Sequence, residues 1–479
     1  MTRTALQEID AYYIEPRPSY RLTFSGLRGV ADRFAPGLKI GPSNGTLYGR
    51  TADGAELASV GLPAERSPAA WAETAAAFLS AVRARSPAFG AAEEEALYDA
   101  FFDGLLRELD PYSRYAGREA ARQARAEREG FGGVGAALDS HPDGARIVGV
   151  TPGRPAAGAG LVVGDVIVAI DGAPVGGLGV SRVAERLRGP VDQPVRLTVR
   201  RAGLPEPLTL TVGRTRIVPD TVRLSREGPH ALIRVSSFNQ RTAKRLAEAL
   251  ASSRHDGPGP PAGVILDLRG NPGGLLDQAI YSADLFLETG LISLADGRHP
   301  TSRQRFLAEP GDLAQGLPMV ILIDGASASA AEILAAALQD QGRAALIGMS
   351  SFGKGTIQTV ATLPNQGELY LTWARFVAPS GYALHRLGVG PTICTTGVRD
   401  AVRALDGALA PGAHADNPPA LRRRLAPDAP EDEIADVLDT CPWRPHEGGD
   451  IDLAVARLLL DSPALYERAI EIGRFRADG

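Results

Sequence analysis

The chain has 479 residues, with 51 lysines and arginines against 56 aspartates and glutamates for a formal net charge of −5, and it is 44% hydrophobic and 22% charged. Its 55 glycines and 36 prolines make it turn-rich without reaching the composition of a disordered chain, and its length suggests about two to four compact units. There is no long basic block to serve as a footprint for nucleic acid, and no run of about 18 apolar residues escapes a charge, so neither a nucleic-acid partner nor a transmembrane segment is expected; the best apolar candidate, 318–339, is broken by Asp324 and Glu332.

Taken in chain order, Leu6, Ile9 and Tyr13 mark a short helical start. Glu8, Asp10 and Glu15 occupy the region where a secretory signal needs an apolar run, which leaves a cytoplasmic protein or an exported one whose signal has been removed. Residues 36–66 give no firm topology, and the alanine-rich run 67–82 reads as a helix. Between 93 and 109, Leu97, Phe101, Leu105 and Leu109 recur at the spacing of one helical face, and Asp110-Pro111 stops it. A charged helical stretch, 118–128, precedes an abrupt change at Gly130-Phe131-Gly132-Gly133-Val134-Gly135. From there to about Arg216 short β-branched runs at 145–150, 165–170, 195–200 and 208–212, with one helix at 180–187, outline a small β-rich module.

From Ala231 strands and helices alternate: strands at 232–235, 264–268, 320–323 and 345–347, helices at 242–251, 275–287 and 330–339. That rhythm predicts an α/β layer with a mostly parallel sheet. Beyond about Gly397 the chain is rich in proline and alanine, with a helix near 452–460, and reads as an appendix or a partner-facing tail. Cys394 and Cys441 are too few for a disulfide scaffold or a cysteine-based zinc site; they form one bridge or remain two thiols.

Three turns carry chemistry-bearing residues. Arg269-Gly270-Asn271-Pro272-Gly273-Gly274 links an apolar strand to a helix, where bare backbone N–H groups favour negative charge and so suit an anion or an oxyanion. Asp324 to Glu332 again runs from strand to helix; Ser329 and Glu332 match the S-x-x-E of a capping box, which needs no function, yet a serine at such a turn also suits a nucleophile. Gly348 to Gly355 matches G-x-x-x-x-G-K, but Gly355 stands where a phosphate loop needs Ser or Thr, and 356–363 alternates like a strand. Lys354, flanked by glycines and Phe352, is instead suited to desolvation and use as a base, with a solvated surface lysine as the alternative. The seven histidines are scattered singly, H-E-x-x-H and G-x-S-x-G are both absent, and no metal or cofactor is expected.

Together, 264–275, 326–333 and 351–358 resemble, in order and spacing, the carboxyl-terminal processing peptidases, serine endopeptidases with a Ser/Lys dyad and an embedded PDZ domain. Asp110-Pro-Tyr-Ser-Arg-Tyr115 resembles that family's helix-to-PDZ junction and 155–172 its PDZ core, with 231–239 and 378–381 also corresponding. The resemblance implies an α/β multidomain protein divided into an N-terminal helical region (1–125), a PDZ domain (126–215), a Ser/Lys protease core (216–396) and a C-terminal helical or tail region (397–479). It implies Ser329, not Ser327, as nucleophile, Lys354 as base, Gln358 orienting the amine, and the N–H groups of Ala330 and of Gly273 or Gly274 as the oxyanion hole. Phe131, Gly132, Gly133, Val134 and Gly135 would receive a substrate's terminal carboxylate, with this docking gating the active site. Implied partners are polypeptides with apolar C-termini, with room for an adaptor protein and for self-association; the implied location is periplasmic or otherwise extracytoplasmic. Ala326 and Ala331 depart from the family's usual Gly and Ser. A non-catalytic PDZ scaffold or chaperone capturing unfolded C-termini is the competing reading, and the joint presence of Ser329, Lys354 and Gln358 argues against it.

Overall fold

The computed structural model describes residues 1–257, 259–413, 415–426, 429–444 and 449–476; two of the scattered histidines, His414 and His446, lie outside them. It contains two compact units, one of residues 1–122, 221–238 and 242–479, the other of 123–220 and 239–241.

In the first unit the strands Val264–Asp267 and Met319–Ile323 are buried at every position, as parallel strands covered on both faces must be. They occupy the middle of a six-stranded sheet ordered Val222–Glu227, His230–Val235, Val264–Asp267, Met319–Ile323, Ala345–Gly348 and Ile393–Cys394. The first two form an antiparallel hairpin, and every later pair is parallel. Side chains alternate across it: Val264, Leu266, Ile321 and Ile323 join the cluster formed with helices Thr242–Ser253, Leu276–Asp284 and Ala330–Asp340. Ile265, Val320 and Leu322 join Leu405, Val455, Leu459 and Ile472 from helices Ala401–Ala408, Ile451–Leu460 and Pro463–Gly473.

That second cluster corrects the expectation of an appendix after Gly397. Without those helices one whole apolar face of the parallel sheet would meet water, so the C-terminal segment is a structural layer of the unit. Cys394, at the end of the last strand, is disulfide-bonded to Cys441, which resolves the choice left open above.

A second, antiparallel sheet runs Gln304–Leu307, Leu291–Asp296, Glu368–Val377, Thr356–Thr362, with Arg114–Ala116 added against Glu368–Val377. Its Leu363, Leu369 and Leu371 pack with the N-terminal helices Thr2–Tyr12, Ser19–Phe34, Pro68–Arg85 and Glu94–Leu106. The region expected to be helical also holds a three-stranded antiparallel sheet, Lys39–Ser43, Thr46–Arg50 and Glu56–Gly61, filling the stretch without topology. No helix among the described residues is long and apolar enough to cross a membrane.

The second unit is a small sheet ordered Leu208–Val212, Val195–Arg200, Val166–Ile170, Gly144–Val150, Ala136–His141, with Ala173–Pro174 beside Val166–Ile170. Helix Val180–Leu187 sends Val183 and Leu187 into a core with Ile147, Ile167, Leu197 and Val199. Ala136–His141 is an edge strand of this sheet.

Candidate active site

Ser327 and Ser329 lie two residues apart at the end of the Met319–Ile323 strand and meet opposite environments. Ser327 is fully buried; its hydroxyl donates to Leu268 O at 2.9 Å and accepts from Asp324 N at 3.0 Å, so it braces the turn. Asp324 Oδ1 completes the brace by accepting Gly270 N and Ala326 N, both at 3.0 Å. Ser329 is partly exposed and has φ 56° and ψ −114°, a conformation that a residue with a Cβ rarely adopts. Such a strained strand-to-helix turn lifts a serine hydroxyl clear of the sheet edge. Ser329 and Glu332 also form the capping box that their spacing suggests, Ser329 N donating to Glu332 Oε2 at 2.7 Å. The cap and the raised serine therefore coexist.

Glu332 does more than cap. It is 1% exposed, and its carboxylate accepts Ser351 Oγ at 2.5 Å and Gly353 N at 2.7 Å on Oε1, and Lys354 N at 3.0 Å on the same Oε2 that holds Ser329 N. One carboxylate thus fixes the backbones of Ser329 and Lys354 to each other. Burial pushes its pKa up, and the four donors oppose that shift. Phe352 N reaches Ser327 O at 3.0 Å, a second tie between the serine turn and the lysine loop.

Lys354 Nζ lies 3.4 Å from Gln358 Oε1 and 5.5 Å from the centre of the Tyr112 ring. Gln358 Nε2 donates to Tyr112 O, which sets the amide so that its oxygen faces the amine. Burial, with the Arg114 guanidinium adding repulsion, pushes the lysine below its ordinary value of 10.5, while Glu332 and Asp110 pull the other way. In this arrangement the amine's side-chain partner is Gln358, not Ser329. Tyr112 is held by Asp110, whose Oδ1 accepts Tyr112 N at 2.9 Å and Thr372 Oγ1 at 2.8 Å.

The glycine turn stands directly against Ser329. A Cβ on Gly273 would fall 2.8 Å from Ser329 Cβ and 3.0 Å from Ala330 N, and Gly273 has φ 98°, so both space and backbone demand glycine there. Asn271, fully buried, organises the turn: Nδ2 donates to Val235 O at 2.8 Å, Oδ1 accepts Gly273 N at 2.9 Å, and its carbonyl accepts Ala328 N at 2.9 Å. Gly273 N–H is therefore already committed, whereas those of Gly274 and Ala330 donate to no protein acceptor among the described residues. Of the two glycines, Gly274 is the donor still free for an oxyanion. Arg269 is not available to an anion either, since Asp267 at 3.0 Å, Asp450 at 2.7 Å and Asp452 at 3.1 Å hold its guanidinium.

In the second unit Phe131–Gly133 pairs antiparallel with Thr215–Ile217, Gly132 O accepts Gly189 N at 3.0 Å, and Gly132, Gly133 and Val134 are buried. That pairing engages Phe131–Gly133, so of the five residues expected to receive a terminal carboxylate the last two lie beyond it. Val134 and Gly135 keep N–H groups with no protein acceptor among the described residues, immediately before the edge strand Ala136–His141. Two adjacent donors leading into an open strand edge are what a peptide terminus needs to dock by strand addition.

Glu332 was visible in the sequence only as a cap, and Tyr112 and Asn271 had no separate signal. Tyr112 reaches Lys354 because Arg114–Ala116 pairs with the start of Glu368–Val377, a long-range register that no local pattern announces.

Residues 230–395 match the model of peptidase family S41, and 146–201 match that of the PDZ domain. The carboxy-terminal-processing protease of Bartonella bacilliformis is 38% identical over 303 residues, which are 63% of this chain and 70% of that protein. The carboxy-terminal processing protease CtpA of Bacillus subtilis is 32% identical over 304 residues, 63% of this chain and 64% of that one. Among solved structures, the photosystem II D1 C-terminal processing protease aligns at 24% identity over 78% of this chain and 92% of that chain, with a TM-score of 0.38.

Proposed function

The chain belongs to the carboxy-terminal processing proteases of peptidase family S41 and is a serine-type peptidase; from that premise we propose that Ser329 is its nucleophile, Lys354 its general base, and a polypeptide's C-terminal tail, held by the PDZ domain, the handle by which substrates are chosen. The observation that carries the dyad is the Glu332 carboxylate, whose Oε2 accepts both Ser329 N and Lys354 N. A buried carboxylate that ties the backbone of a strained serine to that of a desolvated lysine supports their acting together.

The steps follow from the chemistry of these groups. The neutral Lys354 amine takes the proton from Ser329 Oγ as that oxygen attacks the scissile carbonyl, and the N–H groups of Ala330 and Gly274 receive the developing oxyanion. Lys354, now an ammonium, gives its proton to the leaving amine as the peptide bond breaks. Water then attacks the acyl-enzyme, losing a proton to Lys354, and Ser329 recovers its own. Gln358 Oε1 holds the amine between these transfers, and contacts to the serine tighten when substrate excludes water. A lysine amine in the open would be almost wholly protonated near neutrality; burial is what would make Lys354 a usable base.

Selection rests on the PDZ unit, where Val134 N–H and Gly135 N–H would bind the terminal carboxylate and Ala136–His141 would pair with the preceding residues. An oxidising, extracytoplasmic location belongs to the same proposal, supported by the Cys394–Cys441 bridge. The test uses one unstructured substrate protein with an apolar tail, ending either in its free carboxylate or in a C-terminal amide. The amide should raise KM about tenfold with kcat little changed, because uniform binding is lost while the dyad is untouched. Equal KM for both forms would remove tail recognition from the proposal.

A further inference from the structure

The C-terminal layer contains a fully buried arginine that the mechanism has not used. Arg422, in helix Pro418–Arg424, is 0% exposed. Among the described residues its guanidinium donates only to neutral acceptors: Nε to Leu387 O at 3.0 Å, Nη1 to Pro418 O at 3.1 Å and Nη2 to Ser350 Oγ at 2.8 Å. Burial lowers its pKa to about 10, and among the described residues Tyr382 and then Glu332 pull the other way through their charge. A buried guanidinium without a carboxylate in contact is costly compared with an apolar side chain of similar volume, so its placement calls for a local purpose.

Its two longest-range partners lie on either side of the lysine loop. Ser350 immediately precedes Ser351, which exchanges hydrogen bonds with Val389 at 3.1 and 2.7 Å and donates to Glu332 Oε1 at 2.5 Å. Leu387 belongs to the segment behind that loop, where Arg386 N donates to Gly353 O at 2.9 Å. The guanidinium is closely packed: a Cβ on Gly390 would meet Nη1 at 2.5 Å. Arg422 therefore joins the loop leading into Lys354 to the turn backing it, and Glu332 grips the first of these through Ser351, Gly353 and Lys354.

We propose that Arg422 is a positioning residue for Lys354, holding the Ser350–Lys354 loop against Glu332 so that the amine stays desolvated and aimed by Gln358. The inference rests on Lys354 being the base. It gives the C-terminal segment a role in catalysis as well as in covering the sheet.

The experiment measures kcat, KM, the rising limb of kcat/KM against pH, and melting temperature for the full chain and for Arg422→Met, Arg422→Lys, Ser350→Ala and Lys354→Ala. The groups facing Lys354 (Arg114, Asp110, Tyr112, Glu332) are left unchanged, so a shifted limb reports its surroundings through the loop. Arg422→Met should lower kcat about 10- to 100-fold with KM nearly constant, the scale expected when a reacting group is misplaced by about 1 Å. Its rising limb should move to higher pH as the amine becomes wetter, and Arg422→Lys should recover part of both effects. Ser350→Ala should act in the same direction but less, with little change in melting. A folded Arg422→Met with lowered melting but unchanged kcat and limb would reduce Arg422 to a structural residue and overturn the proposal. Where Arg422→Met does not fold, unchanged kcat and limb in Ser350→Ala overturn it equally. Lys354→Ala separates the two levels: cleavage retained there overturns the base assignment itself, whereas an inactive Lys354→Ala beside an unaffected Arg422→Met overturns only the positioning role.

Discussion

Ser329→Ala should lower kcat by about 10⁴-fold or more, while Ser327→Ala leaves the catalytic step in place and costs only stability. The two serines share a turn and differ in what their hydroxyls do. Ser327 is enclosed and spends its oxygen and proton on Asp324 N and Leu268 O, so its removal leaves a buried donor and a buried acceptor short of a partner, worth about 1–3 kcal/mol. Ser329 is partly exposed on a backbone with positive φ, against Gly273, as the proposed nucleophile requires. Fragment formation from an unstructured protein, measured beside thermal melting for both variants, separates the roles. Equal loss of turnover in both, at equal folded fraction, would mean that the turn and not a nucleophile had been damaged.

The second large effect is expected at Glu332. Glu332→Gln preserves volume but puts an NH₂ where one oxygen accepted two donors: either Ser329 N and Lys354 N, or Ser351 Oγ and Gly353 N, would face it. Two buried donors then lose their acceptor, which costs at least about 2 kcal/mol and loosens the loop on which Lys354 rides. Turnover should fall by about tenfold or more at temperatures where the variant is still folded. Glu332→Asp, which keeps the charge but shortens the reach, should be damaged too, because the four contacts come from two separate turns. A Gln variant that melts lower yet turns over normally would show that the carboxylate is a cap and nothing further.

The local reading of the chain succeeded where one face or one turn decides. The strands Val195–Arg200 and Leu208–Val212 and the helix Val180–Leu187 lie where their alternation and spacing place them. The three glycine- and serine-bearing turns meet because each follows a strand of one parallel sheet and emerges at its carboxyl edge, a consequence of βα alternation that was legible. Helix Ser19–Phe34 was not: Gly26 and Gly29 weaken its helical pattern, but Gly29 lies so close to Ala100 O and Gly104 that any side chain would strike the helix Glu94–Leu106. Glu368–Val377 and Ala136–His141 were missed because their roles, a central antiparallel strand and an open edge, are set by partners far away in sequence. The same holds for Arg422. Nothing in Pro-Pro-Ala-Leu-Arg-Arg-Arg distinguishes the first arginine, and only the packing of the C-terminal layer buries it beside Ser350.

The dyad is tested most directly by the rate at which an alkyl fluorophosphonate acylates the protein, followed against pH in the native chain and in Lys354→Ala, with the modified residue located by peptide mapping. The label should sit on Ser329. In the native chain the rate should rise with pH and level off, with a midpoint below 10.5, because burial favours the neutral amine and only the neutral amine accepts the serine proton. In Lys354→Ala the same reaction should be slower by about 10²- to 10⁴-fold and lack that limb. A label on Ser327, or matching rates and matching pH profiles in the two proteins, would contradict a Ser329–Lys354 dyad.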